Sequence, residues 1–302
     1  MDADHRAPAV CRPTNLLERL AGPPVAPLVR RGEPLAAASS LRLTRWATGV
    51  LLARLRSSGR LAFATVPEPE LLDGLSILMP VFNEVDRVEP ALRKTLAVAL
   101  PCPFEVVVVD DGSTDGTTEL LRDGTWPENV RLHFHSQNRG KGAAVRTALA
   151  DAQMRLSAIL DADLEYEPAD LAVMLDPLLH EDGVRVVYGV RTFDGYHSHS
   201  FLFVMGNKGV TLAANILFNV YIHDLMTCQK AVETELFRSL PLRSSGFSIE
   251  PEITCRLLQR GEKIYEVPVS YRARGSEEGK KLTALDGVRV LGTLIRCRLT
   301  RL

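Results

Sequence analysis

Short apolar runs alternate with amphipathic stretches along the middle of the chain. Runs at 75–79, 105–109, 130–135 and 156–160 read as strands, and helical spacing covers 88–98, about 116–122, and 143–153. The runs are continuous rather than alternating, which predicts strands buried on both faces. Strands that alternate with helices predict an α/β domain: a mostly parallel central sheet with helices on both faces. A further strand is expected at 185–190. The apolar stretch 200–222 is interrupted by Lys208, Asn207, Asn215 and Asn219, so it predicts one long amphipathic helix and no membrane span.

The two ends read differently. Residues 1–40 are rich in Ala, Pro and Arg without a sustained period, which predicts a disordered arm. In 41–66, Leu43, Trp46, Ala47, Val50 and Leu51 recur at helical spacing, while Arg42, Arg45, Arg54, Arg56 and Arg60 add charge with no acid between them. Such a helix either lies on an anionic membrane surface or packs on the main domain, and the pattern leaves both open. The C-terminal VRVLGTLIRCRLTRL has the same character. The expected division is an N-terminal extension, 1–72, and a catalytic domain, 73–302, that ends in a basic amphipathic helix.

Composition narrows the picture only slightly. The chain has 302 residues, 46% of them hydrophobic, and a net charge of −1, enough for a full core and no signal for nucleic acid. Five cysteines, an odd number without metal-ligand spacing, point to a reduced cytosolic protein. The N-terminus lacks the apolar core and cleavage site of an export signal.

The chemistry gathers where strands end. In ILDADLEYEP, Asp161 and Asp163 follow a buried strand, and side chains two apart in extended chain point the same way. That edge is where open α/β sheets bind ligands. An isolated Asp-X-Asp is ordinarily a solvated turn, so the other loops matter. In VVVVDDGSTDGT, Asp110 and Asp111 can accept hydrogen bonds from nucleobase N–H groups or ribose hydroxyls. ILMPVFNE places Pro80, Asn83 and Glu84 at the same rim. NRGKG offers Gly140 and Gly142 for close packing or phosphate approach, with Arg139 and Lys141 as cations near a phosphate; a solvated Lys141 at a helix start is equally compatible. A dinucleotide fingerprint also fits GKG, with Asp161 about 20 residues on, but its third small position falls on Val145 and it leaves Asp163 unexplained.

Taken in order, PVFNE (80–84), VVDDGSTDGT (108–117), NRGKGAAVRTAL (138–149) and DAD (161–163) resemble the family-two inverting glycosyltransferases of GT-A fold. Within these the chain is most similar to dolichyl- and polyprenyl-phosphate mannose or glucose synthases, a likeness continued in GNK (206–208), DLMTCQKAV (224–232), FSIEPEIT (247–254) and YEVPVSYRARGSEEGKKLT (265–283). The resemblance implies a GT-A fold and transfer of a hexose from a GDP- or UDP-sugar to a polyprenyl phosphate. It implies that Pro80, Val81, Glu84 and Asp111, with Asn83, Asp110, Lys141 and Ala162 beside them, bind the nucleotide. It puts Asp161 and Asp163, with Glu165 in place of the family's usual glutamine, at the diphosphate with Mg²⁺ or Mn²⁺, which suits hard carboxylate oxygens.

A lipid monophosphate, with a second pKa near 6, is already a nucleophile at neutral pH and needs cations rather than a base. Candidates are Arg191, Lys208, Arg274 and Lys280, with Lys281; Arg274 and Lys280 match an arginine and a lysine of the family's corresponding loop. Asp224 is a candidate catalytic acid, as base or as the group orienting a cation, and Glu250 and Glu252 occupy the segment where hydroxyl-acceptor relatives carry theirs. A soluble hydroxylated acceptor, or nucleotide-sugar binding without transfer, therefore stays open. His197 and His199 alternate like metal ligands but read better as loop residues. Many relatives carry C-terminal membrane spans and this chain does not, so the expected location is cytoplasmic, peripheral at the inner face of the membrane, alone or through a membrane-protein partner.

Overall fold

A computed structural model describes residues 71–192, 201–272 and 284–300. The expected arm and basic helix within 1–70 lie outside these residues, as do His197, His199, Arg274, Lys280 and Lys281.

Strands β1 (Leu72–Val81), β2 (Phe104–Asp110), β3 (Val130–Phe134) and β4 (Met154–Ile159) are linked by helices α1 (Val88–Leu96), α2 (Thr117–Asp123) and α3 (Lys141–Asp151). Then follow α4 (Asp170–His180), β5 (Val186–Thr192), α5 (Phe201–Phe218), β6 (Lys230–Glu233), α6 (Thr234–Arg238), α7 (Ile249–Gln259), β7 (Tyr265–Ser270) and α8 (Ala284–Leu299). The seven strands form one sheet in the order β3-β2-β1-β4-β6-β5-β7. Only β6 runs antiparallel to its neighbours, β4 and β5. The sheet is thus mostly parallel, as the strand-helix rhythm predicts.

Period-two alternation sends successive side chains of each strand to opposite faces. Ile77, Met79, Val106 and Val108 pack with Leu92, Leu121 and Met174 of α1, α2 and α4. Leu78, Val107 and Val109 pack with Val145 and Ala148 of α3 and with Phe237, Ile253 and Leu257. Helices cover both faces, which is why the strands read as unbroken apolar runs. A third cluster, including Ala214, Leu225, Val290 and Leu294, joins α5 to α8.

Helix ends differ from the sequence reading for local reasons. Helix α3 starts at Lys141, two residues early, because Gly140 at φ 90° makes the turn into it. Helix α5 stops at Phe218: Asn219 adopts φ 50°, and the Asn215 side chain bonds both backbone groups of Ile222. Because β1, β2 and β4 are parallel neighbours, their carboxyl ends open on one rim, where the loops carrying Glu84, Asp111 and Asp161 meet.

Candidate active site

The rim holds a cavity of about 300 Å³. Pro80, Val81, Phe82 and Glu84 line it from the first loop, Asp111 from the second, and Asn138, Gly140, Lys141 and Ala144 from the start of α3. Asp161, Ala162 and Asp163 form the floor, and Gly246 and Phe247 close the far side. Of the residues expected at a nucleotide, Pro80, Val81, Glu84, Asp111, Lys141 and Ala162 converge here.

Asn83 and Asp110 do not line it; their side chains bond within the first two loops. Adjacent residues of a strand point to opposite sides, and Asp110 accepts from Ser113 Oγ at 2.5 Å and from the Thr118 hydroxyl. Asn83, at φ 53°, accepts from the Thr114 amide at 2.9 Å, and its own amide donates to Ser113 Oγ at 2.9 Å. The two side chains knit the first loop to the second.

Asp111 works from beneath. Its carboxylate accepts from His135 Nδ1 at 2.6 Å and from the amides of Arg139 and Gly140 at 3.0 and 2.6 Å, so it fixes the turn that delivers Lys141. That turn runs against the loop 244–248. A Cβ on Gly140 or Gly142 would collide with the carbonyl oxygens of Ser245 and Ser244 respectively, and the Gly142 amide donates to Ser245 O at 2.5 Å. Both glycines are close-packing residues.

Lys141 donates to Asp161 Oδ2 at 2.8 Å and lies 3.0 Å from Glu250 Oε1. The second approach is an ion pair without hydrogen-bond alignment, since Glu250 Oε1 is buried and has no hydrogen-bond donor. Glu250 Oε2 accepts from Lys230 Nζ at 2.9 Å. Lys230 is fully buried and also donates to the Leu225 and Thr227 carbonyls. Charges therefore alternate along Asp161, Lys141, Glu250 and Lys230. Burial alone would lower the Lys141 pKa, but the charges of Asp161 and Glu250 outweigh it and hold the ammonium well above its ordinary value. The neighbouring Cys228 thiol is pushed up by burial and stays neutral.

Asp161 Oδ1 is buried without a hydrogen-bond donor among the described residues. Asp163 Oδ1 accepts from the Glu165 amide at 3.1 Å, and Leu164 between them takes φ 63°, a left-handed backbone that disfavours leucine by roughly 1–2 kcal/mol. Two carboxylates with an orphaned hard oxygen fit a divalent ion that completes its shell with substrate phosphates and water. Glu165 Oε2 accepts from the Tyr271 hydroxyl at 2.8 Å, and among the described residues no three His, Cys, Asp or Glu side chains gather as a metal cluster. The Arg272 amide donates to Glu165 O at 2.8 Å, which ties the segment after β7 to the turn that follows Asp163.

The expected acceptor cations divide. Arg191 is 8% exposed and outside the cavity lining, its Nε and Nη2 donating to Asp224 Oδ2 and Oδ1 at 2.6 and 2.8 Å. Its guanidinium stacks over Tyr271 at 5.0 Å. Burial would raise the Asp224 pKa, yet the Arg191 bonds and charge, with Asn207, hold it below the ordinary carboxylate value. Both Asp224 oxygens are thus engaged by Arg191. Lys208 is exposed on α5 and away from the cavity lining.

Sequence reasoning assigned no role to Phe82, Asn138, Gly246 or Phe247, although Asn138 and Phe247 sit inside NRGKG and FSIEPE. Nor did it foresee Lys230, whose burial no local pattern announces. A second cavity, about 530 Å³, lies between the loop 244–248 and α8.

The profile described as Glycosyl transferase family 2 matches residues 76–240, more than half of the chain. Glycosyltransferase AglJ of Haloferax volcanii is 33% identical over 222 residues, 72% of this chain and 68% of that protein. Dolichyl-phosphate hexose transferase of the same organism is 29% identical over 223 residues, 74% and 92% of the two chains. Among solved structures, glucosyl-3-phosphoglycerate synthase of Mycobacterium tuberculosis, in complex with Mn²⁺, UDP-glucose and phosphoglyceric acid, superimposes with a TM-score of 0.59 at 21% identity, covering 75% of this chain and 80% of that one. The fold is the GT-A arrangement, and the chain belongs to glycosyl transferase family 2 and is a glycosyltransferase.

Proposed function

We propose that the protein transfers a hexose from a nucleoside-diphosphate sugar, GDP- or UDP-linked, to a polyprenyl phosphate, with inversion at the anomeric carbon. One observation carries the choice of acceptor: the three described carboxylates offered as general base for a hydroxyl, Asp224, Glu250 and Glu252, are each already engaged. Asp224 holds Arg191. Glu250 holds Lys230 and neighbours Lys141. Glu252 accepts from the amides of Arg243 and Ser244 at 2.9 and 2.7 Å. A phosphate acceptor is already an anion and removes the need for a base.

In this reading the cavity takes the nucleotide, with the apolar Pro80, Val81 and Ala162 against base and ribose and Lys141 near the diphosphate. Asp161 and Asp163 would hold Mg²⁺ or Mn²⁺, which when bound supplies charge neutralisation for the departing diphosphate. An acceptor phosphate oxygen attacks the anomeric carbon, the bond from that carbon to the diphosphate oxygen breaks, and the nucleoside diphosphate leaves with the electron pair. Arg191, held by Asp224 and stacked on Tyr271, is placed on the acceptor side, with the guanidinium N–H groups that Asp224 does not take left for the phosphate.

The surface supports lipid access. Eight of the eleven exposed large apolar side chains among the described residues sit on or beside α5 and α8, including Met205, Leu212 and Ile216 on one helix and Val288, Leu291, Ile295 and Leu299 on the other. Each set follows helical spacing along one line. Helix α5 has no acid and α8 only Asp286, against Arg289, Arg296 and Arg298. No helix of the described residues is long and apolar enough to cross a membrane, so this pair suits an interfacial position on an anionic leaflet.

The test is a transfer assay with labelled GDP- and UDP-sugars offered short polyprenyl phosphate in detergent and, separately, soluble hydroxylated acceptors. Organic-extractable label is expected; label confined to a soluble acceptor would sink the assignment.

A further inference from the structure

Lys141 stands between a half-buried carboxylate, Asp161, and a buried one, Glu250, and each has one oxygen that makes no hydrogen bond among the described residues: Asp161 Oδ1 and Glu250 Oε1. The ammonium bonds Asp161 Oδ2 at 2.8 Å, while Glu250 Oε1 at 3.0 Å is close enough to receive it but is not yet aligned. Glu250 cannot swing to meet it, because Lys230, fully buried and fixed by two carbonyls, holds the other oxygen. The second position is built and waiting.

A divalent ion at Asp161 and an ammonium on the same carboxylate repel each other strongly in a site screened from water. We propose that Lys141 is an exchangeable counter-ion, seated on Asp161 when the site holds no substrate and handed to Glu250 Oε1 when metal and diphosphate arrive. The proposal rests on the reading of Asp161 as a metal-binding residue. Lys230 and Glu250 are positioning residues: they never touch substrate but supply the second seat. The exchange completes the missing hydrogen bond of Glu250 and frees Asp161 in one small rotation of the lysine tip. Its consequence is ordered loading, because metal alone must displace the ammonium, whereas a metal that comes with a diphosphate brings charge that Lys141 can face.

The test counts free Mn²⁺ by electron paramagnetic resonance over the full-length protein without sugar nucleotide, and again with UDP or GDP. Lys141→Met removes the competitor and is expected to tighten binding of Mn²⁺ alone about tenfold. Glu250→Gln weakens the second seat and is expected to loosen Mn²⁺ several-fold. A merely structural lysine or glutamate would shift both variants the same way or neither. Circular dichroism checks folding, and the Glu250→Gln arm stands alone should Lys141→Met fail to fold. Weaker or unchanged Mn²⁺ binding in folded Lys141→Met, or binding at least as tight in Glu250→Gln as in wild type, would overturn the exchange while leaving the metal site intact. No Mn²⁺ binding in any variant, with or without nucleotide, would overturn the exchange and the metal reading together.

Discussion

Asp224 grips Arg191 through two hydrogen bonds of 2.6 and 2.8 Å, with both side chains only 5% exposed. Breaking such a pair by truncation strands a buried charge, so Asp224→Ala is expected to destabilise the fold by about 3–5 kcal/mol. Asp224→Asn keeps the shape and loses the charge. If Asp224 only aims Arg191, that variant raises KM for the acceptor roughly tenfold and leaves KM for the sugar nucleotide unchanged. Steady-state kinetics with each substrate varied in turn decide this, and an equal effect on both would remove Arg191 from the acceptor side.

Asp163 lies on the cavity floor and shares its turn with the left-handed Leu164. Asp163→Ala is expected to reduce turnover by at least about a hundredfold, as loss of a group that stabilises developing charge does, with little change in melting temperature. EDTA should reduce wild-type turnover similarly. Wild-type activity in a folded Asp163→Ala would remove the metal assignment.

Gly142 is a sharp probe of packing against the loop 244–248, since an alanine Cβ there meets the backbone oxygen of Ser244. Gly142→Ala is expected to destabilise by about 1–3 kcal/mol and to raise KM for the nucleotide by displacing Lys141. Chemical denaturation with parallel kinetics checks it; Gly209, whose Cβ would meet nothing within 4 Å and whose backbone is helical, is the control position.

The exposed stripe on α5 and α8 yields a prediction separable from catalysis. Ile216 and Ile295 are 72% and 53% exposed, so aspartate at either site leaves the core untouched. Ile216→Asp with Ile295→Asp is expected to reduce sedimentation with phosphatidylglycerol vesicles at least about tenfold, while transfer to a short, water-soluble prenyl phosphate persists. Undiminished vesicle binding would assign the stripe to another partner.

Much of this architecture was legible in the sequence. Continuous apolar runs such as 105–109 are what a sheet covered on both faces requires, and the rim residues Asp111, Lys141, Asp161 and Asp163 follow from strand ends in a parallel sheet. Burial of charge was not legible. Lys230 and Glu250 look like surface residues in QKAV and SIEPE, because a local pattern cannot show that two distant segments bring opposite charges together. Nor could it show that Tyr271, more than one hundred residues away, donates to the Glu165 carboxylate. Asp110 and Asp111 were equivalent as a pair of acids; only the pleat sends one to the turn and the other beneath the cavity.

The central claim is that the acceptor brings its own charge and no protein base is used. The most direct measurement is the pH dependence of single-turnover transfer to a short polyprenyl phosphate and to its phosphonate analogue, whose second pKa is higher. The account predicts a rise in rate with a midpoint near 6 for the phosphate, and a midpoint that moves upward with the phosphonate. A midpoint that stays in place when the acceptor is changed, and moves instead in Glu250→Gln, Glu252→Gln or Asp224→Asn, would contradict it.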